Sequence, residues 1–180
     1  ASFFDGPYNS PNEYMISYPV VIAIAGGIGI TPLLASLSYL MKTCEPKPRH
    51  FHIVWVFREL EMPFPFLQFF QSALDKFWVE NQEDRLELGF YCTQASSDLE
   101  AQLNLAPKFY KDFAPFLRAR LKFGRPNWEE LFKVWKEYYQ GSEVGVFCCG
   151  PKSLNKQISR FCLRAVGEGL RFSYHHESFS

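Results

Sequence analysis

Three glycines within four positions, Gly26, Gly27 and Gly29, stand between an apolar run and Thr31-Pro32. Glycine lacks a Cβ atom, so it tolerates positive φ and lets a bulky anion approach the main chain. Thr31 fits a helix N-cap, and Pro32 fits the first helical position. A helix opening there would aim its free N–H groups and positive dipole end at the loop. These residue types suit a diphosphate. A glycine-rich turn that only joins strand to helix would have the same composition. The spacing is neither Gly-x-Gly-x-x-Gly nor the P-loop pattern with its Gly-Lys-Ser/Thr.

Three more residues have types that could do chemistry. Arg58 follows the apolar run 51–57, and Arg125 lies in a stiff turn between Gly124 and Pro126. A guanidinium at such a strand end suits a phosphate dianion, as on a 2′-phosphorylated ribose. Each arginine alone is equally a solvated surface charge. Cys149 closes a later apolar run just before Gly150-Pro151. It reads either as a site thiol at a strand end or as a buried structural one. His175 and His176 are adjacent on an expected strand, so they point to opposite faces and do not share a metal. No metal site is expected.

These residues need elements to position them. Residues 20–25 (Val-Val-Ile-Ala-Ile-Ala) form a continuous apolar run, as in a strand buried on both faces of a parallel sheet. A helix pattern follows over 33–41, closed by Pro46 and Pro48. Further strands are expected over 51–57, 86–92, 144–149 and 170–175. Helices are expected over 64–80, 129–139 and 153–166. Residues 94–122 read as loop with some helix. The alternation implies an α/β fold: an open parallel five-stranded sheet, order 3-2-1-4-5, with helices on both faces. Ligands of such sheets sit at the carboxyl ends of the strands, at the switch point in strand order. The glycine loop and the Cys149-Gly150-Pro151 turn would then face one cleft.

Composition narrows the function classes. The 180 residues are 47% hydrophobic and 21% charged, which is globular and enough for one self-sufficient domain. The formal net charge is zero, which leaves no electrostatic footprint for nucleic acid. The five cysteines include no Cys-x-x-Cys pair and read as reduced thiols, some in the core. No run of 18 apolar residues occurs. The opening at Ala1 reads as that of a fragment. The Phe-rich stretch 64–77 either packs on the sheet or docks a regulator.

Asp5-Gly6-Pro7-Tyr8, Gly26-Gly27-Ile28-Gly29-Ile30-Thr31-Pro32, Gly124-Arg125-Pro126-Asn127-Trp128, Cys149-Gly150-Pro151 and Phe172-Ser173-Tyr174-His175-His176-Glu177-Ser178-Phe179 occur in that order. The set covers nearly the whole chain. It resembles the C-terminal dehydrogenase region of NADPH oxidases of the respiratory-burst and dual-oxidase type, within the ferredoxin–NADP reductase superfamily. The glycine loop and Cys-Gly-Pro occur across that superfamily. Gly-Arg-Pro-Asn-Trp and the aromatic, glutamate-bearing end narrow it to the oxidase and ferric-reductase branch.

The resemblance implies a ferredoxin-reductase-like NADP-binding module over residues 20–180, with 1–19 the junction from a FAD-binding barrel. It implies that Gly26, Gly27, Gly29, Thr31 and Pro32 hold the pyrophosphate. Arg58, Arg125 and Pro126 match the 2′-phosphate and adenosine side, and Cys149, Gly150 and Pro151 the nicotinamide side. Glu177 matches the acid near the nicotinamide, and Phe179 the aromatic that stacks on the flavin. Two departures stand out: Ser180 follows Phe179, and Ser178 replaces a common Asn. The implied cofactors are NADPH, FAD and, in a membrane domain, heme. The implied activity is hydride transfer from NADPH to FAD, then electron transfer to oxygen, giving superoxide. Ferric-chelate reduction and a non-catalytic docking lobe are the alternatives. The implied partners are the protein's own FAD-binding and heme domains and a cytosolic regulator or calcium-sensing domain. The implied place is the cytosolic face of a membrane.

Overall fold

The computed structural model describes residues 15, 17–42, 48–77, 85–94, 98–165 and 171–178, with Glu177 and Ser178 placed by their backbone alone. Asp5-Gly6-Pro7-Tyr8, Cys44, Pro46 and Phe179 lie outside them.

Strand β1 (Val20–Gly26) runs through a short 3-10 turn (Gly27–Gly29) into helix α1 (Ile30–Lys42). Next come β2 (His50–Phe57), a second 3-10 turn (Phe64–Phe66) and α2 (Leu67–Phe77). Then follow β3 (Leu86–Cys92), three short helices α3 (Leu99–Leu105), α4 (Lys108–Lys111) and α5 (Ala114–Arg120), and β4 (Leu121–Phe123). Helix α6 (Trp128–Tyr138), β5 (Glu143–Gly150), α7 (Lys152–Arg164) and β6 (Arg171–Ser178) complete the order. The strands form one parallel sheet in the order β4-β3-β2-β1-β5-β6.

The expected order of the five longer strands holds, with one correction. A sixth strand, β4, lies at the edge of the sheet, across the end of the stretch 94–122 read as loop with some helix. Three residues, Leu-Lys-Phe, are too few to display a period, and their pairing with Phe90–Cys92 is a tertiary event.

Alternation along each strand divides the core in two. Ala23, Ala25, Ile53, Trp55, Phe90 and Cys149 face the layer of α1, α2 and α5. Ile22, Ile24, Val54, Val146 and Cys148 face Trp128, Phe132 and Trp135 of α6 and Ile158 and Cys162 of α7. Every residue from Val20 to Ala25 is therefore buried, which is why β1 reads as an unbroken apolar run. The Phe-rich helix packs on the sheet: Phe70 and Phe77 are buried there, with Phe69 packed alongside. Among the described residues, no helix is long and apolar enough to cross a membrane.

Candidate functional site

The carboxyl ends of β1, β2, β3 and β5 open on one cleft of about 580 Å³. It lies where the sheet order reverses, between β1 and β5. Seven of the residues singled out in the sequence line it: Gly26, Gly27, Arg58, Arg125, Pro126, Gly150 and Pro151. Gly29, Thr31, Pro32 and Cys149 do not line it.

The glycines divide the work differently from expectation. Of the three loop glycines, Gly27 alone has positive φ, at 54°, and a Cβ there would meet nothing within 4 Å. Gly26 and Gly29 instead let two turns interlock. A Cβ on Gly26 would stand 2.8 Å from Pro151 Cδ, and one on Gly29 would stand 2.1 Å from the carbonyl oxygen of Cys149. Gly150 packs back on Gly26 at a distance that leaves little space for a side chain. The β1 turn and the Cys149-Gly150-Pro151 turn are thus one unit. Thr31 is not the N-cap: the 3-10 turn winds straight into α1, so Thr31 is the second helical residue and is exposed. The cleft also receives the start of α7, with Ser153 and Gln157 on its wall and no side-chain cap on its first turn.

Arg58 is held from its backbone. Its carbonyl accepts from the Gln94 amide at 3.2 Å and from the Cys92 thiol at 3.2 Å, and the Thr93 amide donates to Phe57 O at 2.8 Å. The Arg125 turn is fixed by each of its residues. Gly124 takes φ 96° and donates its amide to Cys92 O at 2.8 Å. Pro126 and Trp128 are buried, and Asn127 Oδ1 caps α6 by accepting from the Glu130 amide at 3.2 Å. Both guanidinium groups are exposed at the cleft, and neither makes an ion pair within 4 Å among the described residues. Glu59 joins them on the cleft wall as an acid.

Cys149 is buried on the α1 side of the sheet and does not line the cleft. It lies in register with Glu177 of β6, so the strands carry these two residues side by side. Burial pushes the neighbouring thiols of Cys148 and Cys162 up to about 12, which keeps them protonated and unreactive. His175 and His176 are ordinary sheet residues. The Tyr18 hydroxyl lies 2.8 Å from His175 Nε2, His175 stacks on Phe147, and His176 stacks on Tyr174. Burial lowers the pKa of His175 and favours the neutral ring.

Sequence reasoning quoted Ile28 and Trp128 within motifs but gave them no role, and it missed Glu59, Met62, Thr93 and Gln157, all on the cleft wall. Glu59 and Thr93 each follow a strand end, which is a signal present in the sequence. Gln157 carries none, since only the direction of α7 brings it there. The arrangement offers two cations, a helix start with no side-chain cap and an open glycine, which suits a phosphate-bearing ligand with one flat apolar portion.

Residues 18–163 match the family described as the ferric reductase NAD binding domain. NADPH oxidase 4 of Pongo abelii and of Homo sapiens are each 36% identical over 179 residues, 99% of this chain and 30% of theirs. A superoxide-generating NADPH oxidase heavy chain of Dictyostelium discoideum is 30% identical over 182 residues, 97% of this chain and 34% of that protein. The chain thus spans about a third of the length of these relatives. Among solved structures, flavohemoglobin from Malassezia yamatoensis aligns with TM-score 0.55 and 17% identity over 93% of this chain and 35% of its own. The CS-b5R domains of human Ncb5or align with TM-score 0.51 and 16% identity, over 98% and 40%. These two likenesses concern the fold alone. With more than half of its residues matched to that family, and with oxidase relatives aligned over nearly all of it, the chain belongs to the ferric reductase NAD-binding domain family.

Proposed function

We propose that this chain is the NADPH-binding lobe of a flavin-dependent NADPH oxidase. The observation that carries the reading is the convergence of Arg58, Arg125 and the open Gly27 turn on one cleft at the switch point. Arg58 and Arg125 hold the 2′-phosphate by charge-assisted hydrogen bonds, with Pro126 and Trp128 as a stiff apolar wall. Gly27 and the following amide meet the diphosphate. Gly26 and Gly29 keep the two turns together, and Gly150 and Pro151 form the wall towards the nicotinamide. Thr31 and Pro32 stabilise the start of the helix behind it.

NADPH held in this cleft would supply a hydride to FAD held by another part of the protein, and the two electrons would then leave singly by way of heme for oxygen, giving superoxide. This chain contributes binding and orientation, since proximity is what such a transfer needs from it. Cys149 and Glu177, in register on β5 and β6, stand on the nicotinamide side, and Phe179 follows two residues later as the flavin-facing aromatic. FAD and heme belong to other parts of the same protein, and a cytosolic or calcium-sensing regulator is a further partner. The lobe sits at the cytosolic face of a membrane, joined through residues 1–19. Ferric-chelate reduction is the second reading, favoured by the matched family's name. The oxidase relatives and the Glu177-Ser178-Phe179 segment weigh against it.

Calorimetric titration of the chain with NADPH and NADH tests the lobe. NADPH-selective binding is expected, and a site that ignores the 2′-phosphate removes the assignment. Superoxide against ferric reduction, measured on the longer protein, separates the two acceptors.

A further inference from the structure

Trp55 is fully buried on β2, yet its one polar atom is used. The indole N–H donates to the Gly27 carbonyl at 2.9 Å. The ring cannot turn away. Phe57, Phe90 and Phe66 meet it edge-on at centroid distances of 5.0, 5.9 and 6.0 Å, and Phe70 lies against it at 6.2 Å. Gly27 O also accepts from the Ile30 amide, where the 3-10 turn passes into α1.

Both donors approach from inside the protein, so the Gly27 carbonyl points inward. In a trans peptide, C=O and N–H point in opposite directions. The N–H of the same peptide, that of Ile28, therefore points outward, towards the cleft that Gly27 and Ile28 line. Among the described residues, nothing else holds this peptide. Gly27 has positive φ and open space around it, and Ile28 is 73% exposed. A glycine peptide so placed flips readily. Flipping would turn a carbonyl, the negative end of the peptide dipole, towards an incoming anion.

We propose that Trp55 is a positioning residue for the diphosphate: its indole N–H sets the Gly27–Ile28 peptide so that the Ile28 amide faces the cleft. The proposal rests on the nucleotide reading above and adds a residue that never touches the ligand. It also explains a tryptophan in the middle of a core that phenylalanine would otherwise fill. The four aromatic neighbours of the ring are phenylalanines, and Trp55 alone among these five rings carries a donor.

The test is W55F, which keeps an aromatic ring and deletes the donor. The chain is titrated with NADPH and with adenosine 2′-monophosphate, which carries the adenosine phosphate but no diphosphate. W55F should bind NADPH about five- to tenfold more weakly, the loss of roughly one hydrogen bond's ordering. Its affinity for adenosine 2′-monophosphate should stay within about twofold. Unchanged NADPH affinity overturns the proposal. So does an equal loss for both ligands, which would mark a general loosening of the core. A wild-type chain that takes up neither ligand removes the nucleotide reading, and the proposal falls with it. A second measurement needs no variant. The indole N–H resonance of Trp55 should shift when the wild-type chain is saturated with NADPH and stay put with adenosine 2′-monophosphate. An indole resonance indifferent to NADPH overturns the proposal even if W55F fails to fold.

Discussion

Gly29 packs directly on the peptide of Cys149: a Cβ at position 29 would stand 2.1 Å from the Cys149 oxygen and 2.7 Å from its carbonyl carbon. Both partners are backbone, so neither can rotate aside. Gly29→Ala is expected to destabilise the fold by about 3 kcal/mol or more, through separation of β1 from the β5 turn. Gly27→Ala, two residues earlier, has free space and only the strain of φ 54°, a cost of about 1 kcal/mol. Urea denaturation of both variants checks the contrast. Equal losses would mean that the interlock of the two turns has little weight.

Arg58→Ala and Arg125→Ala should each weaken NADPH by about ten- to a hundredfold, the range for a lost charge-assisted hydrogen bond, and NADH by far less. The fold should be unaffected, because both guanidinium groups are exposed and make no ion pair within 4 Å among the described residues. Competition binding with the two nucleotides reads the difference. Equal losses for the two cofactors would detach these arginines from the 2′-phosphate.

Glu59 brings a carboxylate to the same wall as the two arginines. Its charge opposes a 2′-phosphate dianion and favours a ribose hydroxyl, so it narrows the preference that the arginines create. Glu59→Gln is expected to tighten NADPH by about three- to tenfold at low ionic strength and to change NADH little. The gain should shrink as salt is added. A gain that survives high salt would point to packing instead of charge.

A partly buried polar chain at the other end of the sheet gives the protein an acid-sensitive contribution. His52 Nδ1 lies 2.9 Å from Glu87 Oε2, and His52 Nε2 meets the Tyr139 hydroxyl. The hydrogen bond from His52 holds the Glu87 carboxyl below its ordinary value of 4.5. A pKa depressed on folding contributes stability that is complete above the unfolded value and lost as pH falls through the folded one. Glu87→Gln should therefore be less stable than the wild type at neutral pH, with the gap closing below pH 4.5. The effect is small, because the Glu87 side chain is 66% exposed. Thermal melts across the acid range would show a constant gap if the histidine contact had no such role.

Most of the sheet could be read from local pattern. Strands β1 and β5 are buried on both faces over 20–25 and 144–150, and burial of that kind leaves an apolar run that needs no partner to be recognised, whereas β2 and β3 keep mostly apolar runs interrupted by His52 and by the exposed Glu87. Helix α6 was legible for the opposite reason: Gly124 and Pro126 break the chain just before it. Strand β4 was not, because three residues carry no period and its only warrant is the neighbouring β3.

The amino-acid sequence by itself determined which residues stand at strand ends, because the strands are set by local burial and the glycines and prolines that stop them. It thereby selected Arg58, Arg125 and the Gly150-Pro151 turn, whatever the ligand. Only the tertiary structure decided what each glycine does. Gly27 is a left-handed turn residue, whereas Gly26 and Gly29 are spacers between two turns far apart in sequence. It also placed a hydrogen-bond donor from β2 under the turn after β1, and the Tyr18 hydroxyl against His175 157 residues away. Such contacts depend on strand order and register, which bring together groups with no relation along the chain.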